Sequence, residues 1–501
     1  MNSTLTKNTD ISQLSSIRFY AALTSLLLSV LAFQHDDLIN SDGILYLNMA
    51  SAYLQGGLSA TAELYDWPFF SMLIAEMHQF TGFGLERSGQ IINTLLFVVF
   101  TDALVLITSR LLENKIQLII ASVFLLCFFT INHYRSYIIR DIGYWALMTV
   151  AVYRMLIFIE KPSWLNGSWW QLSTMLAVLF RVEGIVIVVA SPLFMCVHFH
   201  LKDGLKATIK LTYLYLFAAI VTVIIFMQQQ GIEAAFGKLL SVTYFLDWIE
   251  LSNEFQNRAD IIGQQALSEY SERYAGDILT FGLVLMLMMK VVSGLGVNNL
   301  GVYLFAKYCG VKIKPNTSAT SYLYFFASLN IIILCAFLFR HYFVSTRYAL
   351  MLIAVLALLL LPSISYFLEQ QWRLRHKRTL AVIGFLLLVS VIDTFTSSVS
   401  KGYIRETAIW AGHELPDNSI VLTSNIFIDF YVRDTNPSAN IQLDRTFEED
   451  HQKFDYFITI EKANHPERKI AYENWALTPV YKKQNTRGDT AVVYQVMDRG
   501  Q

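Results

Sequence analysis

The chain has 501 residues, 54% of them hydrophobic and 15% charged. Soluble domains carry about 25% charged residues, so this composition excludes an ordinary soluble domain and points to a membrane protein. The net charge of −1 argues against a nucleic-acid partner held by bulk charge, and four cysteines without metal-ligand spacing provide neither a disulfide framework nor a zinc site.

Residues 1–16 are polar, with Lys7 and then Arg18 at the start of the first apolar run, 17–33. No small-x-small cleavage site follows that run, so it reads as an uncleaved first helix. The stretch from His35 to Pro68 holds five acidic residues (Asp36, Asp37, Asp42, Glu63, Asp66) and no Lys or Arg. Carboxylates beside a bilayer are costly to desolvate, so such a cluster is either wet or there for chemistry. Broken helical patterns at 44–54 and 69–80 predict two amphipathic helices at the interface. Runs long enough to cross about 30 Å of hydrocarbon follow at 90–109, 116–132, 142–159, 166–181, 183–199, 207–227, 277–306, 321–340, 345–365 and 379–396. With the first helix they make eleven. The 294–306 segment, interrupted by Gly294 and Gly296, has an alternative reading as a re-entrant piece.

An eleven-span count puts five basic connections on one side: Arg110 with Lys115, Lys161, Lys202 with Lys206 and Lys210, Lys307 with Lys312 and Lys314, and Arg373 to Arg378. By the positive-inside rule that side is cytoplasmic, as is the N-terminus. The loop 35–89, the 133–141 connection, the Arg181-Val-Glu183-Gly turn, the loop 229–275 and the C-terminus fall outside. From 397 the composition turns polar, with alternating strands at 419–423 and 456–460. The expected organisation is a helical bundle over 1–396, with an outer catalytic loop at 35–89, and a small α/β domain over 397–501.

Asp42, in Ser41-Asp42-Gly43, and Asp141, at the outer start of the fourth span after Arg135 and Arg140, each read as a helix cap or as one of two facing carboxylates. Such a pair acts as base and orienter or holds a divalent cation. Arg181 and Glu183 read either as two side chains reaching separately to water or as an anion contact. Arg340, His341, Arg347 and Tyr348 lie on an outer connection, against the charge rule, where bound phosphate accounts for them economically; the rival account pairs them with loop acids. His133 and Arg135 share that logic. Asp36, Asp37 and Tyr46, one turn from Asp42, complete the candidates.

The arrangement of Ser41-Asp42-Gly43-x-x-Tyr46, Trp67-Pro68, Arg87, Asp141, the turn at Arg181, the Arg347-Tyr348-Ala-Leu-Met-Leu-Ile run and the soluble tail resembles the GT-C-fold glycosyltransferases. That superfamily includes protein O-mannosyltransferases and the lipid A aminoarabinose transferase. The chain departs from it in having Asp-Gly where many members have Asp-Glu, and in Glu183. The resemblance implies a GT-C-like all-α polytopic bundle and a bacterial inner-membrane enzyme with its tail in the periplasm. It implies inverting transfer of a sugar from a polyprenyl-phosphate donor to a glycan, lipid or protein acceptor. Asp42 would be base or acceptor orienter, supported by Asp141, with Arg340, His341, Arg347 and Arg181 on the donor phosphate and Arg140 nearby. No cofactor is implied beyond a divalent cation at Asp42 and Asp141. Rival readings are a lipid or polysaccharide flippase and an O-antigen-type polymerase or ligase.

Overall fold

The computed structural model describes residues 11–228, 247–313, 317–396, 400–444, 453–464 and 475–497. Lys7, Lys314 and much of the 229–275 loop lie outside the described residues. In a bilayer every backbone polar group must be satisfied within the protein, so the apolar runs fold as helices. The helices are α1 (Ile11–His35), α2 (Ser41–Leu64), α3 (Phe69–Thr81), α4 (Leu85–Leu111), α5 (Lys115–Leu126), α6 (Phe129–Asn132), α7 (Asp141–Glu160), α8 (Trp164–Phe180), α9 (Gly184–Ala190), α10 (Phe194–His198), α11 (Leu201–Gln228), α12 (Trp248–Ala266), α13 (Ala275–Tyr308), α14 (Thr317–His341), α15 (Thr346–Arg373) and α16 (Lys377–Thr396). Among the described residues seven helices are long and apolar enough to cross a membrane: α1, α4, α7, α13, α14, α15 and α16. The molecule is a polytopic helical membrane protein.

The expected single spans at 116–132 and 183–199 are each broken. α5 stops at Leu126, where Asn132 Nδ2 donates to the Leu126 carbonyl at 2.7 Å and Ser390 Oγ to the Cys127 carbonyl at 2.9 Å. These donors satisfy the carbonyls a helix end leaves open. The 184–198 segment runs through a 3₁₀ turn at Ser191–Leu193 that contains Pro192. At 294–306 the run α13 is broken at Gly296, whose φ of 70° and ψ of 163° are non-helical and suit glycine, so two helical pieces meet at a kink. The kink frees the Gly294 carbonyl, which accepts from Thr130 Oγ1 at 2.5 Å. α15 does not stop at Pro362 but continues to Arg373; its burial on nearly all faces outweighs the one backbone bond that proline removes.

Polar contacts tie the helix ends at two levels. At one level Arg110 pairs with Glu160 at 2.5 Å, Glu369 accepts from Asn114 at 3.0 Å and Gln117 at 2.8 Å, and Lys210 donates to the Pro162 carbonyl at 3.2 Å. The eleven-span count had placed the basic residues among these on a single side. α8 and α11 approach closely because Gly167 faces the Lys210 carbonyl, and Gln171 bridges the two helices, donating to that carbonyl at 3.1 Å and accepting from Leu214 N at 2.8 Å.

Beyond α16, α17 (Gly402–Glu414) precedes β1 (Ile420–Thr423), α18 (Ile426–Thr435), β2 (Asn440–Leu443), β3 (Tyr456–Glu461), β4 (Leu477–Gln484) and β5 (Thr490–Val496). The strands form one sheet in the order β2-β1-β3-β5-β4, parallel across β2-β1-β3 and antiparallel at β3-β5-β4. This sheet domain sits on the acidic loop. Asp37 accepts from Ser400 Oγ at 2.6 Å and Gly402 N at 3.3 Å, and Ile39 N donates to the Tyr431 hydroxyl at 3.3 Å. A single buried apolar cluster runs from α1 through the bundle into β5.

Because a side chain at Gly167 would drive into the Lys210 backbone, Gly167→Val should lower stability by about 1–3 kcal/mol. Thermal unfolding in nanodiscs checks this: the midpoint falls, whereas Gly384→Ala, in open space on α16, leaves it near wild type.

Candidate active site

α2 begins against the 133–140 connection because the Asn40 side chain bridges it. Its Oδ1 accepts from Ile138 N at 2.8 Å and its Nδ2 donates to the Ile138 carbonyl at 3.4 Å. A Cβ at Gly43 would lie 3.0 Å from Asn40 Oδ1 and 3.3 Å from Ile138 Cβ, so glycine lets this first turn pack closely on the connection. Asp42, beside it, reaches across to the start of α15 and pairs with Arg347.

From there charges alternate in sign. Arg347 Nε lies 3.6 Å from Asp141 Oδ2 at the first residue of α7. Asp141 Oδ1 accepts from Arg181 at the end of α8. Arg181 in turn holds Glu183 with contacts of 2.8 and 3.3 Å. The Tyr348 ring lies under both guanidiniums, 4.8 Å from that of Arg181 and 5.2 Å from that of Arg347. Exposure grades along the chain: the Asp141 side chain is 3% exposed and Arg181 10%, but Arg347 is 21% and Asp42 38% exposed. The inner pair is therefore structural, and the outer pair can meet a substrate. Arg347 Nε is buried and makes no hydrogen bond in the described structure, because 3.6 Å exceeds a bond to Asp141. It is a spare donor beside the base candidate.

Close helix packing sets this geometry. A Cβ at Gly143 of α7 would overlap the Phe180 ring, so glycine lets α8 settle on α7 and brings Arg181, the next residue, to Asp141. Phe180 also meets Phe69 at 5.1 Å and Phe70 at 6.3 Å, tying α3 to the same point. Glu183 lies on the turn outside α8 and α9. Burial would raise its carboxyl, but the Arg181 charge and hydrogen bond outweigh that and bring it down to about 2.

The other candidates fall elsewhere. Arg340 is buried and pairs with Glu254 at 3.0 Å and Glu250 at 3.5 Å on α12, so the loop-acid account describes it. His341 is exposed, its ring 4.4 Å from that of Phe337. Arg140 donates to the Tyr65 hydroxyl at 2.9 Å. Tyr46 is buried edge-on to Phe70, and burial holds its phenol well above the ordinary value. Asp37 anchors the sheet domain, and Asp36 lines a separate cavity. Arg135 is 1% exposed and staples the connection to α1 and α4: it donates to Asn132 Oδ1 at 2.8 Å, the Ser25 carbonyl and hydroxyl at 3.0 Å and Ser29 Oγ at 2.8 Å, over the Phe97 ring at 4.8 Å. Sequence reasoning passed over Gly143 and the platform role of Tyr348, although the Arg-Tyr dipeptide was visible.

The donor set does not suit a divalent cation. Asp42 and Asp141 are each bonded to a guanidinium, and a dication between them would face two fixed positive charges. Among the described residues no group of three or more His, Cys, Asp or Glu is placed to hold a metal.

No protein-family model and no curated protein matches this chain. Solved structures are similar to it, among them two membrane proteins. One is the apo-state crystal structure of ArnT from Cupriavidus metallidurans, with TM-score 0.39 and 11% identity over 95% of this chain and 97% of that one. The other is the arabinofuranosyltransferase AftD from Mycobacteria, with TM-score 0.43 and 11% identity over 96% of this chain and 42% of that one. At these values the likeness carries no residue correspondence.

Two measurements probe the ion chain. Arg181→Gln strands Asp141 and Glu183 without their partner, and breaking such a buried pair should cost about 3–5 kcal/mol in thermal unfolding. Glu183 titrates lower when folded than the ~4.3 of a free glutamate, so its stabilisation is complete above that value and drains away as pH falls towards 2. The midpoint difference between wild type and Glu183→Gln should therefore be flat from about pH 8 to 5 and shrink below about 4.

Proposed function

We propose that this chain is an inverting membrane glycosyltransferase that moves a sugar from a polyprenyl-phosphate donor to a glycan, lipid or protein acceptor. The observation that carries the reading is the partly exposed Asp42–Arg347 pair at the open end of a buried chain of charges. It joins a carboxylate able to accept a proton to a guanidinium suited to phosphate. The basic connections at the opposite level support a bacterial inner-membrane placement, with the N-terminus cytoplasmic and the sheet domain and Asp42 periplasmic. The division at 396/397 then separates the catalytic bundle from an outer cover.

In this mechanism the donor phosphate competes with Asp42 for the Arg347 donors that face it, while the buried Nε stays turned to Asp141. Asp42 is thereby released as a base. The acceptor oxygen forms its bond to the anomeric carbon while the bond from that carbon to the phosphate oxygen breaks. Asp42 takes the acceptor proton, and the electron pair leaves with the polyprenyl phosphate. Attack from the side opposite the phosphate inverts the anomeric centre. Arg347 stabilises the growing phosphate charge from a pre-set position, because Asp141 and Tyr348 already hold it. Asp141 and Arg181 position Arg347 without touching substrate. Each step is carried by side chains alone, without a metal ion.

Protein in nanodiscs with a panel of polyprenyl-phosphate sugars tests the reading. Asp42→Asn should lose roughly two to four orders of magnitude in rate while donor binding stays near wild type. Arg347→Ala should weaken donor binding. A fully active Asp42→Asn enzyme would sink the mechanism.

A further inference from the structure

We infer that a second cavity beside the ion chain is the subsite for a neutral, polyhydroxylated glycosyl unit of the acceptor, completed on one side by the sheet domain. This deepens the transferase reading and rests on it. The cavity has a volume of about 300 Å³ and lies where the end of α1, the 133–140 connection, the end of α16 and the first residues of the tail meet. That is the low end of the roughly 300–1,000 Å³ of small-molecule pockets, a size for one ring rather than a lipid chain.

Its wall is chemically mixed. Asp36 offers a carboxylate, Lys401 an ammonium, and Ser41 and Tyr137 hydroxyls, with His133 between them. This set can both donate to and accept from a ring of hydroxyls. Phe395 and Phe427 add apolar faces for the C–H side of a sugar ring. His133 stands at the rim of this wall, where desolvation lowers its imidazole against the pull of Asp36. Asp36 and Lys401 are opposite in sign, and with the imidazoles of His35 and His133 and the hydroxyls the wall offers donors and acceptors to an uncharged ligand. A phosphate is better met by the guanidinium of Arg347, which is not part of this wall.

Two placements link the cavity to the base and to the tail. Ser41, on the cavity wall, precedes Asp42, and the Tyr137 phenol lies near enough to feel Asp36, Arg347 and Asp42 together. The Tyr137 backbone is fixed by Asn93 Nδ2, which donates to its carbonyl at 2.5 Å. On the other side Asp37 accepts from both Ser400 and Gly402, the two neighbours of Lys401, and so holds Lys401 at the wall. Asn425 caps α18 by accepting from Phe427 N at 2.9 Å, which fixes Phe427 there. Asp37 is thus a positioning residue, and the sheet domain supplies part of the acceptor site.

The test uses the full chain in nanodiscs, with methyl glycosides of hexoses and pentoses as probes and saturation-transfer NMR as the readout. At least one glycoside should bind wild type. Its binding should weaken tenfold or more in Asp36→Ala, in Ser136→Trp, which fills the cavity, and in Lys401→Gln, an exposed change that spares the fold. Asp37→Ala should weaken it through the loss of Lys401's placement. Absence of binding to wild type, equal binding to all variants, or displacement of the glycoside by inorganic phosphate would each overturn the inference. A failure of the transferase reading shows separately, as no donor consumption by wild type that nevertheless binds a glycoside.

Discussion

Three carboxylates and two guanidiniums gathered where helices end have no stable arrangement except against one another. An isolated ion in such a place costs several kcal/mol, and the cost is offset only when each charge meets an opposite one in good geometry. Here the links Asp42–Arg347–Asp141–Arg181–Glu183 come from α2, α15, α7 and the turn after α8, so their pairing fixes where those elements end. The absence of a side chain at Gly143, which admits Phe180, and the Tyr348 ring beneath both arginines serve the same requirement. Exposure is least at Asp141 and Arg181 and greatest at Asp42, and chemistry is to be expected where a charge still has access to a ligand.

The acidic loop is accordingly not an open, wet segment. Neighbouring residues divide its contacts: Asp36 faces a cavity, Asp37 and Ile39 hold the sheet domain, Asn40 pins the 133–140 connection, and Asp42 enters the ion chain. A density of polar residues that reads as solvation in sequence is a set of separate attachments in space. The proposed base is therefore braced by the connection that Asn40 pins, while the tail domain is held to the same loop at Asp37 and Ile39. That bracing keeps a charged group in place beside a bilayer at little further entropic cost.

Much of the bundle was legible beforehand, because a membrane span needs a long apolar run and little else. The two helices after α1 and two of the tail's five described strands, β1 and β3, followed from period and turn residues. The breaks were not legible. Whether α5 ends at Leu126 depends on Asn132 and Ser390 being at hand for the freed carbonyls, and whether α15 passes Pro362 depends on what packs around it. Arg340 and Arg347 look alike in sequence, as two arginines on one outer connection. One is held by Glu250 and Glu254, while the other pairs with the partly exposed Asp42.

By itself the sequence determined the class: a polytopic helical membrane protein with a small C-terminal sheet domain, carrying charges where helices end. Composition and period are local properties, and they suffice for that. Only the tertiary structure decided which charges meet, since Asp42 and Arg347 are 305 residues apart and no local pattern encodes their pairing. It also decided which charges stay reachable, because exposure depends on what every other element covers.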